Sequence, residues 1–368
     1  MIESTSMKIN FAGDICLQNY RPDDFRLSSS WMGVQQLLND ADYTIANFEG
    51  TITEPNWDCV HKIGLPVRRE SLEALAVDNF IFNVGNNHFG DFGEKGAKLT
   101  IDTFKELGVR WFGYGDRLLD ARKPLVLEHE NCRIACLSYV DVTTNSDFLA
   151  RYDSLGVPPL AFPDVLHDIE AIQKNVDYIV VNLHWGIENV FYPTYDQIHM
   201  AHAIIDAGVD VIIGHHQHVY QGMEEYGDGV IFYGLGNFIM PDLQYKYQYQ
   251  DGPILEKKLK QLQENKEAII AQIDFSPEGF KYKIIPVKQT GNAIPQIANF
   301  DEWSIPYAEI NEKLLSFIKK KRRQINAVRL HQYRLIYNGR IFQNIYSYPT
   351  IDKLSFRALW DSLRKSLI

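Results

Sequence analysis

Seven short apolar runs, each breaking off in polar or glycine-containing residues, limit most tightly how this chain can fold. They are MKINFAGD (7–14), YTIANFEG (43–50), NFIFNVGNNH (79–88), RIACLSYVD (133–141), DYIVVNLHWG (177–186), DVIIGHHQH (210–218) and VIFYGLGNF (230–238). Their length and their β-branched and aromatic content mark them as strands. Helix-length stretches with apolar residues spaced near 3.6 lie between several of them, at 69–80, 94–108 and 196–208. Gly108 and Gly208 close the last two, as helix ends prefer. Alternation of this kind implies a layered α/β architecture. In such folds the loops at the carboxyl ends of the strands carry the chemistry.

With 368 residues the chain can form one large domain with additions, or two domains, and bury a sizeable core. A formal net charge of -10 argues against general nucleic-acid binding, so no nucleic acid is expected as a partner. The charge is uneven: residues 291–368 hold 13 Lys plus Arg against 6 Asp plus Glu, a balance of +7 that leaves -17 for residues 1–290. That shift divides the chain into a domain over 1–290 and a basic, largely helical extension over 291–368. Within the extension, Lys319 to Arg323 reads first as a solvated helix face; the sharper reading is a surface for anionic lipid, polyglutamate or acidic glycan. Tyr333, Tyr337, Phe342 and Tyr346 read as packing before they read as a partner surface. The polar segment 244–267 reads as a loop running into an exposed helix. Cys16, Cys59, Cys132 and Cys136 show no C-x-x-C spacing, and the opening MIESTSMKINFAGD has no basic stretch followed by an apolar one. The expectation is a cytoplasmic protein with reduced thiols, and no run approaches the ~20 apolar residues of a membrane span.

The strand ends carry an unusual load. GHHQH (214–218) places His215, His216 and His218 at the end of an apolar run, where imidazoles cost free energy unless paired or ligated. Asp14, Asn47 with Glu49, Asn86 to His88 with Asp91, His184 with Glu188, and Asn237 end the other runs. Singly each has an ordinary reading, as a cap, a turn or a hydrogen-bonded core histidine. If the strands lie side by side in one layer, however, their ends share a rim. Carboxylates, an amide oxygen and imidazoles there make the mixed set that Mn²⁺, Fe or Zn²⁺ accepts. Two such ions ~3.5–4 Å apart clamp a phosphoryl group.

Six stretches in fixed order, GDICL (13–17), ANFEG (46–50), NNHFGDFG (86–93), HWGIE (184–188), GHHQHV (214–219) and YGLGNF (233–238), make the chain similar to a known family. It resembles the CapA family of bacterial capsule and poly-gamma-glutamate synthesis proteins, whose domain is similar to calcineurin-like metallophosphoesterases. The resemblance covers roughly residues 8–290 and implies a layered β-sandwich flanked by helices. It implies Asp14 on one divalent metal, Glu49 bridging, Asn87 and His184 on a second metal, and His216 and His218 as further ligands. His88 would act as general acid with Asp91 orienting it, while Glu188 would support His184. Asn47, His215 and Asn237 would line the pocket. Cys16 stands where calcineurin-like enzymes carry a histidine ligand; a thiolate could ligate a soft metal, but a small buried apolar side chain is the first reading, which leaves one metal site weak. Gln217 replaces the usual Pro of HPH, and Gly234 the usual Ser of YSLGNF.

The expected function is that of a metal-dependent hydrolase in capsule or cell-surface polymer synthesis, with metal-bound hydroxide attacking a phosphoester or polymer linkage. The substrate would be an anionic polymer or phosphoester, and a membrane-associated synthase could dock on the basic tail. The alternative is a non-catalytic polymer-handling or assembly protein that retains a metal site.

Overall fold

The structure, a computed structural model, describes residues 6–320 except 27, 55, 56, 58, 60–62, 76–78, 131, 145, 249–251 and 292. The chain divides into two compact units, Met1–Ser316 and Phe317–Ile368. Lys321 to Arg323 and the four aromatic residues of the extension lie outside the described residues.

The first unit opens with β1 (Met7–Ile15), α1 (Pro22–Arg26), α2 (Ser29–Asn39) and β2 (Tyr43–Phe48). A short parallel pair, β3 (Thr51–Ile52) with β4 (Pro66–Val67), precedes α3 (Arg69–Leu75), β5 (Phe80–Asn83), α4 (Gly93–Leu107) and β6 (Arg110–Phe112). After α5 (Leu118–Ala121) come β7 (Leu125–His129), β8 (Cys132–Val140), α6 (Phe162–Ile172), β9 (Tyr178–His184), α7 (Tyr195–Asp206) and β10 (Val211–His215). Then β11 (Met223–Tyr226), β12 (Gly229–Phe232), β13 (Asn237–Ile239), β14 (Leu243–Gln248) and β15 (Ile254–Leu259) lead to β16 (Glu267–Ser276), β17 (Gly279–Thr290) and β18 (Ile294–Ile297).

The seven apolar runs split between two sheets instead of lining up in one layer. One sheet runs β18-β17-β16-β1-β2-β5-β6, with β13 also paired to β1; the other runs β11-β12-β10-β9-β8-β7. The alternation of side chains shows why the runs must be apolar throughout. Phe11, Ile45 and Ile81 from the first sheet share a buried cluster with Ile134, Val180 and Ile213 of the second. Phe48 and Phe82, on the opposite face, pack on Phe104 of α4 with ring centroids 5.3 and 5.5 Å from its own. Strands covered by a sheet on one side and helices on the other lose the polar face that period-two alternation would reveal.

The segment 244–267 is corrected by the structure: it is an antiparallel hairpin, β14 with β15, followed by a 3-10 turn at Glu264–Lys266. Leu255, Leu259 and Leu262 recur at helical spacing, yet all three are exposed, so no apolar stripe is buried that would favour a helix. The ladder pairs Tyr245 with Lys257 and Lys246 with Glu256 instead.

The four cysteines are free thiols. Among the described residues no helix is long and apolar enough to cross a membrane.

Asp210, just before β10, accepts a hydrogen bond from the Ile179 amide at 2.8 Å, and burial raises its carboxyl to about 6. A folded value above the unfolded one means that the native state binds the extra proton, so stability is lost as pH rises from about 4 through 6. Asp210→Asn keeps an acceptor and should raise stability by about 1–2 kcal/mol at pH 8. Parallel denaturant melts should show that gain vanish near pH 4; a gain equal at both pH values would refute the assignment.

Candidate metal centre

Two glycines let the segment joining β12 to β13 lie close against β1 and β10 at the rim. A Cβ on Gly13 would lie 1.9 Å from the Gly236 carbonyl, and one on Gly214 1.9 Å from that of Tyr233. Their absence allows Asp14, the next residue after Gly13, to pair with Asn47 of β2 on one side and Asn237 of β13 on the other. On the second sheet His184 and His215 stand in register at the ends of β9 and β10.

Asp14 is the hub. Its Oδ1 accepts from Asn47 Nδ2 at 2.9 Å and lies 3.1 Å from His215 Nδ1, while Oδ2 accepts from the His216 amide at 3.3 Å and lies 3.5 Å from His218 Nδ1. Burial opposes its ionisation, but hydrogen bonds to His215 and His218 hold the carboxyl well below the ordinary range. Glu49 is fully buried and less well served: burial pushes its carboxyl up to about 8, and its Oε1 accepts no hydrogen bond. His88 Nε2 and His218 Nε2 face that oxygen at 3.8 and 3.7 Å.

The imidazoles are differentiated by their surroundings. Burial, then the neighbouring His216, keeps His184 well below its ordinary pKa. Burial, then the charge on His218, lowers His216 to about 3, and its Nδ1 has no partner. His218 goes the other way, to about 10, because Glu49 and Asp14 overcome the effect of burial. His216 and His218 sit at φ values of 97° and 57°, a region that side chains larger than glycine enter at a cost. His184 Nε2 is 2.8 Å from Asn87 Oδ1, so a cation replacing the proton between them would be held by both.

A divalent metal fits this donor set. Ligand atoms of Asp14, Glu49 and His218 all lie within 4.8 Å of one another. The Glu49 Oε1 and His216 Nδ1 atoms, buried without partners, carry the desolvation cost that ligation would remove. Cys16 does not contribute. It is buried with Leu65, Met240 and Leu243, and burial pushes its thiol up to about 12.

The structure therefore gathers Asp14, Asn47, Glu49, Asn87, His88, His184, His215, His216, His218 and Asn237 around one rim. Asp91 accepts from the Leu65 amide at 2.8 Å through the same Oδ2 that faces His88 Nδ1 at 2.9 Å. His215, 2% exposed, holds Asp14. Glu188 stands exposed in the turn after β9, and the ring nitrogens of His184 face Asn87 and Asn47.

Three supporting residues carry no role in the sequence reading. Asn86 donates to Asn47 Oδ1 and to the Phe48 carbonyl, fixing the amide that holds Asp14. Asn265 donates to the His218 carbonyl and accepts from Asn237. Gln217, 1% exposed, donates to the carbonyls of Trp185 and Tyr233, and a Cβ at Gly234 would lie 2.5 Å from its Oε1. Asn86 ends a strand and was visible there; nothing in the segment around Asn265 signals its contact.

Two stacked sheets with a buried cluster of acids, amides and imidazoles on their common rim define an α/β protein with a candidate metal centre. The chain belongs to the family described as Bacterial capsule synthesis protein PGA_cap, whose model matches residues 8–242. It is 35% identical over 241 residues to the PGA biosynthesis protein CapA of Bacillus subtilis (strain 168), an alignment spanning 63% of each chain. The identity to the capsule biosynthesis protein CapA of Bacillus anthracis is 35% over 218 residues, 56% of this chain and 52% of that one. The chain thus spans less than two thirds of either relative. The calcineurin-like phosphoesterase YfkN from Bacillus subtilis aligns over 88% of this chain and 99% of its own at 10% identity, with a TM-score of 0.40, too low to decide anything.

Proposed function

We propose that this chain serves the synthesis of a capsule or related cell-surface polymer such as poly-gamma-glutamate, acting as a metal-dependent hydrolase on a phosphoester or polymer linkage. The observation that carries the hydrolase reading is the cluster of buried Asp14 and Glu49 with half-buried His218, with ligand atoms within 4.8 Å and one carboxylate oxygen left without a donor. The family and the CapA relatives support the polymer setting. Asp14, Glu49, His216 and His218, with Asn87 and His184, would hold divalent ions. Such ions supply Lewis acidity toward an oxygen of the scissile group. His88 donates a proton from Nε2 to the leaving-group oxygen, because Asp91 engages Nδ1 and turns Nε2 toward Glu49.

Cys16 favours a second reading. Buried and facing Leu65 and Met240, it leaves one expected donor out of the set, as a polymer-handling protein with a retained metal site would tolerate.

Plasma mass spectrometry on untagged protein, before and after exposure to Mn²⁺ or Zn²⁺, tests the centre. About two ions per chain are expected. Protein that takes up neither ion would sink the hydrolase reading.

A further inference from the structure

The β14–β15 hairpin stands apart from both large sheets as a two-stranded sheet of its own. An isolated pair of strands is marginal in water, and β15 is exposed at every residue from Ile254 to Leu259. Ile254, Leu255 and Leu259 are 52%, 50% and 45% exposed. Apolar side chains in a row on an edge strand mark a surface that another strand can cover.

Gln18 decides which edge of the hairpin is open. Its side chain accepts from the Gln244 amide at 2.7 Å and donates to the Gln244 carbonyl at 2.8 Å, which closes the outer edge of β14 at that residue. Gln244 stands opposite Lys258, so these two exchange no ladder bonds. Alternation then turns the amides and carbonyls of Ile254, Glu256 and Lys258 away from β14, and among the described residues no hydrogen bond reaches them. The ladder runs through six pairs without a bulge, and β15 holds no proline, so nothing interrupts the open edge.

The edge sequence, ILEKKL (254–259), complements its own copy. Two identical antiparallel strands in one sheet are related by a two-fold axis perpendicular to it. With Lys257 on the axis, Glu256 of each copy faces Lys258 of the other, and Leu255 of each faces Leu259 of the other. Moving the axis one residue either way sets Leu255 or Leu259 against Lys257, so the register is specified. Lys257 meets its own copy on the axis, where two long side chains part into water. Lys258 lies 3.5 Å from Asp242 of its own chain, but that pair is exposed and contributes too little to withhold the lysine.

We propose that the open edge of β15 binds a second copy of this chain, antiparallel about a two-fold axis at Lys257, to make a four-stranded sheet from two hairpins. Each Glu256–Lys258 pair then exchanges two backbone hydrogen bonds, because both residues turn their amides and carbonyls outward. An edge this short buries less than the ~1,200 Å² of a tight complex, so the association is expected in the micromolar range.

Sedimentation velocity of the full chain from about 1 to 200 µM reads the association. The parent should rise from 42.5 kDa toward twice that mass and stop there. Lys258→Glu and Glu256→Lys each set like charges against each other at two places, and each should weaken the association about tenfold or more. Mixed in equal amounts, the two variants again oppose unlike charges at both places. The mixture should therefore pair as the parent does, and so should a chain carrying both changes; this recovery also shows that the hairpin has kept its fold. The proposal is overturned by a parent that stays at 42.5 kDa, by single variants that associate like the parent, or by a mixture that does not pair. Growth past a dimer would overturn it too, since the two-fold pairing uses up both β15 edges.

Discussion

His88→Ala is expected to lower turnover about 10²-fold while leaving metal content at the parent level. The expectation follows from how the imidazole is held. Asp91 Oδ2, itself fixed by the Leu65 amide, lies 2.9 Å from Nδ1, so the other nitrogen points into the rim at 3.8 Å from Glu49 Oε1. A group that delivers a proton from that nitrogen acts in the reaction and not in holding ions. Metal content and turnover should therefore part company in this variant. The measurement pairs steady-state hydrolysis of bis-p-nitrophenyl phosphate with plasma mass spectrometry. Unchanged turnover would remove His88 from the chemistry, and lost metal would make it a ligand.

Asn237→Leu is expected to weaken Mn²⁺ or Zn²⁺ uptake about 10- to 100-fold. Asn237 Oδ1 lies 2.9 Å from His218 Nδ1 and accepts a hydrogen bond from it, which directs Nε2 toward Glu49. The amide cannot turn away, because its Nδ2 donates to the Asn265 carbonyl at 3.1 Å. Asn237→Asp keeps the acceptor and should recover most of the affinity. Calorimetric titration of metal-free protein reads the effect, and melting of the same metal-free samples controls for packing. If Leu and Asp variants bind alike, His218 is oriented by something else.

How much of this was legible in the sequence depends on which interactions decide each element. The strands could be read because burial on two faces demands unbroken apolar runs, and the rim could be read because Asp14, His184 and His215 follow those runs directly. The division into two sheets could not, since Ile45 and Ile213 look the same in a run whether they pack on a helix or on another sheet. Local pattern also misleads where nothing is buried: Leu255, Leu259 and Leu262 suggest a helix, but the ladder with β14 decides the conformation. Residue roles were legible only where a motif singles them out. Asn265 lies 47 residues from the His218 carbonyl it holds, and a contact at that separation leaves no trace in spacing. Cys16 shows the converse, since it stands inside the first of the six motifs and its apolar neighbours make it a packing residue.

The contact between Gln217 and Gly234 ties these two positions to each other. Gln217 cannot swing aside, because its amide is held by the carbonyls of Trp185 and Tyr233. A serine at 234 would set its Cβ 2.5 Å from that amide oxygen. So long as Gln217 is held there, residue 234 has no room for a side chain.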